Sequence, residues 1–393
     1  MWPTTHLIGL VILGTASVAP ACMWDRDTPA QDAQKHVDVI ESTVGWFDRY
    51  PDLYYEMRLK RVSAELVSQP GRLDLYDDAG VACARLGKPG EAIQWMVRKD
   101  AALKRQPNSE HQYRYLANLG TFHLQRWGMN PKKNAELADL IEAIRLIKLA
   151  LVINPHAHFG RERAQLCLME WWLAGSVPLA ERKKLPAPAR LREWLEEAPA
   201  IDDWPRALQG LIRQGIAWES VDVFSWLSST MEPELNYLAS LRTAELLANG
   251  VQPLQPDSDY LSSWAELDAR GQTMQESTLM QDFNSDQAAR ISLFFKQARK
   301  AAEARQRELV RFMTLKMQAG GHPDTHADFW KGWKSPASLP ALPFGNVIDR
   351  IMRWDGDWLI MDGLVYLIAA GFVVLFAWLL VKGCRFVNDR LTA

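Results

Sequence analysis

Apolar residues recur at three- and four-residue spacing through most of this chain, the period of helices that bury one face. The pattern is clearest between Leu73 and Pro155, where it divides into two helical hairpins. In LDLYDDAGVACARLGKPGEAIQWM, Tyr76, Ala79, Gly80 and Ala92 take small and aromatic positions, and Gly87 supplies the permissive backbone that ends the first helix. In the second hairpin Leu119 and Gly120 stand where Ala79 and Gly80 stood. There EAIRLIKLALVINP carries Ala143, Ile147, Ala150 and the terminating Pro155. Gly80 and Gly120 have no Cβ and Ala92 and Ala143 only a methyl, so the partner helices approach near the short end of the usual range of about 8–10 Å. Pro155 stops the last helix, because the residue before a proline is pushed out of the α region. About eleven additional residues, around Arg126 to Asp139, separate the two helices of the second hairpin.

The same period extends to both sides. Residues from Gln31 to Pro70 read as a degenerate repeat with Val44-Gly45 in place of the small pair, and HAHFGRERAQLCLMEWWLAG opens a third hairpin with Ala164 and Leu168 at packing positions. The repeats therefore span 31–175. Next comes a divergent helical region, 176–318, in which the repeat signature fades beyond the proline-containing turn at Leu185 to Pro188. It ends in an amphipathic helix, Ser285 to Gln318, whose apolar side carries Ile291, Phe294, Phe295, Ala298, Ala302, Leu309 and Phe312. Prolines at 323, 336, 340 and 343 mark a linker over 319–357. The fold class is all-α: a solenoid of helical hairpins, then divergent helices, then one C-terminal transmembrane helix.

That last helix is placed at 358–382. Gly363 to Val381 holds 19 residues without a charge, which at about 1.5 Å per residue spans roughly the 30 Å hydrocarbon core. Lys382, Arg385 and Arg390 after it point the tail, 383–393, to the cytoplasm. At the other end an apolar run from Leu7 to Val18 is too short to cross a bilayer, and Ala19-Pro20-Ala21 fits the cleavage site of a signal peptide over 1–21. The body is therefore expected on the extracytoplasmic side of a cell membrane. Cys22 follows the triplet directly and is a candidate lipidation site. Cys83 and Cys167 read as buried apolar residues rather than a disulfide. Lys plus Arg total 45 against 47 Asp plus Glu, a net charge of −2 that gives no support for a nucleic-acid partner. Seventeen tryptophans read as large core residues.

The spacing of the small residues is similar to that of the 34-residue tetratricopeptide repeat, TPR. CMWDRDTPA, LYDDAGVACARLGKPGEAI, NLGTFH and INPHAHFGRER together resemble bacterial exported TPR proteins of unassigned role. The likeness runs from about Cys22 to Leu168. It implies a helical-repeat scaffold in the cell envelope and implies no active site; that such a scaffold binds a protein or peptide partner is read from the groove positions.

In such a stack, positions two, five, nine, twelve and thirteen of each first helix face the groove. Counting from Leu73, and from the matching residues of the later repeats, gives Asp74, Asp77, Arg85, Arg114, Gln125 and Glu162 as the charged and polar candidates for partner binding. Their mixed chemistry differs from the dense basic clamp that captures a terminal carboxylate. An alternative occupant of the groove is the chain's own helix Ser285 to Gln318. No phosphate loop, His-Glu-x-x-His, Cys-x2-Cys or Gly-x-Ser-x-Gly motif occurs, so neither enzyme activity nor a cofactor is expected. The alternative functional class rests on histidines: His156 and His158, joined by His123 and His111, as ligands of a metal ion. A third reading is a tether anchored by lipid on Cys22 and by the C-terminal helix.

Overall fold

The computed structural model describes residues 23–28, 39–130, 132–133, 135–155, 157–176, 201, 203–213, 217–231, 233–254 and 285–343. The chain divides into two units, Met1–Pro340 and Ala341–Ala393, and every element below belongs to the first. The expected signal segment, Cys22, His156 and the expected membrane span and tail lie outside the described residues. So do 177–200 and 255–284 of the divergent region. Among the described residues no helix is long and apolar enough to cross a membrane.

Eleven helices and no strand are found among the described residues, in keeping with an all-α chain. They are α1 (Val39–Val44), α2 (Asp52–Ser68), α3 (Leu73–Arg85), α4 (Pro89–Arg105), α5 (Ser109–Met129), α6 (Ala138–Ile153), α7 (Arg161–Ser176), α8 (Trp204–Arg213), α9 (Val221–Ser229), α10 (Pro233–Ala248) and α11 (Ser285–Gln318). Helix α2 buries Tyr54, Tyr55, Arg58, Val62 and Leu66, one stripe at three- and four-residue spacing. Helix α4 begins with Pro89, whose missing N–H is not needed at a helix start. Asn108 caps α5, its side chain accepting the His111 N–H at 3.0 Å.

Consecutive helices α3 with α4 and α5 with α6 pack as hairpins, and α3 also touches α5, so the first helices of successive hairpins are neighbours. The seam of the second hairpin depends on Gly120. A Cβ there would sit 3.1 Å from Ile147 and 3.2 Å from the Ala143 carbonyl oxygen. The residues added to this hairpin are partly helical: α5 has 21 residues against 13 in α3, and the loop after it is tied down by the Trp127 indole, which donates to the Lys133 carbonyl at 2.8 Å.

Among the described residues two large apolar cores result, with a smaller one between α2 and the end of α11. One joins α2 to α5, with Leu75, Ala79, Met96, Ala117 and Phe122 at its centre. The other joins the end of α5 to α6 through α10 and is rich in tryptophan, with Trp127, Trp172 and Trp226 fully buried. Cys83 and Cys167 are free and buried within these cores. Helix α11 packs on α1, α2 and α10, burying Ile291, Phe294, Phe295, Ala298, Ala302 and Leu309, while Met313 and Met317 extend the stripe onto Tyr54 and Tyr55. Phe312 of the expected stripe is only partly buried and packs among Phe329, Trp330 and Trp333.

The chain after α11 departs from the linker expected at 319. His322 is buried and stacks on Tyr54, ring centroids 4.8 Å apart and planes 12° apart, and Phe329 is buried beside it. The prolines here prevent a helix, but they do not prevent docking: an irregular segment is held where its side chains find partners on α2.

Candidate partner-binding site

Residues Met23 to Thr28 form a short arm that lies against α2, α3 and α5. The arm closes in a turn, the Thr28 N–H reaching the Asp25 carbonyl at 3.3 Å and the Thr28 hydroxyl accepting the Asp25 N–H at 3.0 Å. Met23 is buried in the first core. The Trp24 N–H donates to Asn118 Oδ1 at 2.7 Å, and Asn118 Nδ2 donates back to the Trp24 carbonyl at 2.9 Å. The Trp24 indole N–H points to the Tyr113 hydroxyl at 3.3 Å, and the Arg114 guanidinium lies 4.7 Å from the indole centre. Two residues on, the Arg26 N–H donates to Asp78 Oδ1 at 3.0 Å while its Nε donates to Asp78 Oδ2 at 2.7 Å.

Asp78 and Asn118 occupy the same register position, each immediately before the small pair of its hairpin. Equivalent side chains of successive hairpins thus bind backbone N–H groups two residues apart on the arm. A carboxylate and a primary amide suit this, since each offers an acceptor on a short, stiff stem.

Beneath the arm is a buried charged node. Arg58 on α2 is fully buried and binds Asp25 at 3.0 Å and Asp27 at 2.9 Å through Nη1, and Asp324 at 2.7 Å through Nη2. Arg61, Arg26 and the Tyr54 hydroxyl complete it. Burial, with the charge of Asp27 beside it, pushes the Asp25 carboxyl up to about 7 against the pull of Arg58. Burial works the same way on Asp324, but the hydrogen bond and charge of Arg58 outweigh it and hold that carboxyl below its ordinary range. Burial likewise raises Asp78 in spite of Arg26, and lowers His322.

The six residues assigned to a groove by register are drawn into this arrangement unequally. Arg114 meets the arm through Trp24 and also pairs with Glu110 on its own helix. Asp77 is buried, accepting from Lys99 at 2.6 and 2.7 Å and from Asn118 at 2.9 Å. Burial lowers the Lys99 ammonium despite that partner. Gln125 donates to the Ala84 carbonyl at 2.8 Å, and Glu162 accepts from the Tyr113 hydroxyl at 2.5 Å. Asp74 pairs with Arg72 at 2.7 Å, and Arg85 lies 6.0 Å from the Tyr55 ring centre. Asp77, Gln125 and Glu162 therefore bind neighbouring helices instead of facing an open groove. Successive first helices pack too closely to leave those polar groups to solvent.

The occupant also differs from the one considered at the C-terminus. Helix α11 packs mainly on α1, α2 and α10, and it is the arm that covers α3 and α5. Residues not singled out beforehand carry it: Asp78, Asn118, Tyr113, Arg58 and Asp324. The signal available in the sequence was the recurrence of a polar residue before each small pair, Asp78-Ala79-Gly80 and Asn118-Leu119-Gly120.

Of the histidines, His123 pairs through Nδ1 with Asp139 at 2.7 Å, and Arg126 shares that carboxylate at 2.5 Å. His111 lies 3.7 Å from Asp77. Among the described residues no group of three or more His, Cys, Asp and Glu side chains is placed to hold a metal ion. His156 and the His158 side chain fall outside the described atoms. Comparison of the chain with protein-family models, with curated proteins and with solved structures finds no match.

Proposed function

We propose that this chain is an exported, membrane-anchored TPR scaffold that binds a segment of another protein on the face formed by α2, α3 and α5. The observation that carries the reading is the double hydrogen bond between Asn118 and the backbone of Trp24. A side-chain amide that accepts from the N–H and donates to the C=O of one residue reads peptide backbone, and so suits a polypeptide ligand better than a small metabolite. Export rests on the apolar run and small-residue triplet before Cys22, and anchoring on the uncharged residues 363–381.

The test is mild crosslinking of the detergent-solubilised full-length chain, followed by affinity purification and mass spectrometry. The reading expects an envelope protein recovered reproducibly with the wild type and lost with Arg114→Glu, under conditions where the thermal midpoint of the variant is unchanged. The same spectra report the mass of the mature N-terminal peptide and with it any lipid on Cys22. Recovery that does not depend on Arg114 overturns the assignment of this face.

A further inference from the structure

We infer that residues 23–28 are an intramolecular ligand, and that the external partner presents the same chemistry, an aromatic residue two positions before an arginine, and binds by displacing the arm. The inference rests on the partner-binding reading above and adds to it what the partner must look like and what it must remove.

Three observations carry it. First, the arm is read at alternate residues. Trp24 enters a site walled by Tyr113 and Arg114, and Arg26 is met by two carboxylates, Asp78 and, at 3.6 Å, Asp324. Second, the bonds that hold the arm's backbone to the helices go to side chains, so the arm can leave without opening a helix. Third, three of its partners keep a bond when it leaves. Asn118 keeps Asp77 at 2.9 Å, Tyr113 keeps Glu162 at 2.5 Å, and Arg58 keeps Asp324 at 2.7 Å. A buried polar group left without a partner costs roughly 1–3 kcal/mol; for these three that cost is avoided, while Asp78, buried against Arg26, needs the arginine that an incoming partner brings. Such a face tolerates exchange of one peptide for another.

A tethered ligand competes at high effective concentration. With about 1 mM for a short linker and an intrinsic Kd on the order of 10 µM, the arm weakens an equivalent free peptide about 100-fold. The experiment titrates a fluorescein-labelled peptide of sequence Met-Trp-Asp-Arg-Asp-Thr against the full-length chain in detergent, read by anisotropy. The double variant Trp24→Ala/Arg26→Ala is expected to bind it about 100-fold more tightly than the wild type, and Asn118→Ala in that background is expected to abolish binding. Equal affinity for wild type and double variant, or binding that survives Asn118→Ala, overturns the inference.

A wild-type measurement stands beside it in case the double variant loses structure. Excess unlabelled hexapeptide is expected to speed hydrogen exchange at the Trp24 and Arg26 amides while the α3 and α5 amides keep their protection, and unchanged exchange at Trp24 counts against displacement. If a protein partner is captured through Arg114 but the hexapeptide neither binds nor competes with it, the inference fails while the scaffold reading stands.

Discussion

Two arginine-centred nodes join distant parts of this molecule, and they are built with opposite charge balance. At the first, Arg58 is surrounded by Asp25, Asp27 and Asp324, carboxylates that come from the arm and from the chain after α11. At the second, Arg49, Arg242 and Arg299 gather around the Trp218 indole, 5.0, 3.8 and 5.0 Å from its centre, with Glu245 bridging two of them. Burial, reinforced by Arg299, lowers Arg49 and Arg242 to about 10. The second node is a helix-to-helix fastening: Arg299 reaches from α11 to Glu245 on α10 and to the Val44 carbonyl at the end of α1 at 3.0 Å. Gly45, at φ +80°, makes room for it, since a Cβ there would sit 2.6 Å from Trp218. The first node instead depends on a six-residue arm that is not part of any helix pair. A node closed by a separable segment can be opened; one closed by packed helices opens only with the fold.

The largest expected effect distinguishes the two at once. Arg58→Met removes the buried cation shared by Asp25, Asp27 and Asp324, leaving Asp324 to Arg61 and Arg26, and is expected to cost about 3–5 kcal/mol in urea unfolding. Arg242→Met should cost less, roughly 1.5–3 kcal/mol, because Glu245 retains Arg299. Equal costs would erase the contrast between the nodes. Gly120→Ala probes the hairpin seam, independent of either node. Overpacking against the Ala143 carbonyl outweighs the helical preference for alanine, and the expected net loss is about 1 kcal/mol, with arm protection measured by hydrogen exchange unchanged.

The smallest effect is one of pH. Asp25 is surrounded by Asp27 of the arm, Arg58 of α2, and Asp78 and Arg85 of α3. Its carboxyl in the docked arm lies at about 7 against an ordinary 3.8, so the docked state binds the proton more strongly. Docking therefore weakens as pH rises from 3.8 towards about 7 and is weakest above that. Asp324 has the opposite sign. Its lowered carboxyl supports the folded state above the ordinary value and loses that contribution only as pH falls through its lowered one. The protection factors of Trp24 and Arg26 amides are expected to fall severalfold across the Asp25 window. Amides at the α10–α11 junction should stay level, since Glu245 titrates below its ordinary range. A parallel fall at both places would show a global change in stability rather than arm release.

Much of the helical frame was legible. The Ala79-Gly80 and Leu119-Gly120 pairs marked close seams because only small side chains let helices approach, and Gly87 and Pro155 marked where helices end. Tryptophans 127, 172 and 226 were read as core and lie in it. The site was less legible. Asp77, Gln125 and Glu162 were read as facing a groove, yet each is bonded to a neighbouring helix. Gly320 to Trp333 read as a spacer because prolines break its pattern, whereas Asp324 and His322 anchor it to α2.

By itself the sequence determined what local chemistry controls: helix period, helix ends, and the small residues that set interhelical distance. Only the tertiary structure decided that Met23 to Thr28 lie on α3 and α5, above the buried charge of Arg58 on α2 and beside that of Asp324. Those contacts join residues far apart in the chain through hydrogen bonds and ion pairs. Such bonds depend on where folded helices hold their side chains, and no periodicity in a six-residue segment can encode that.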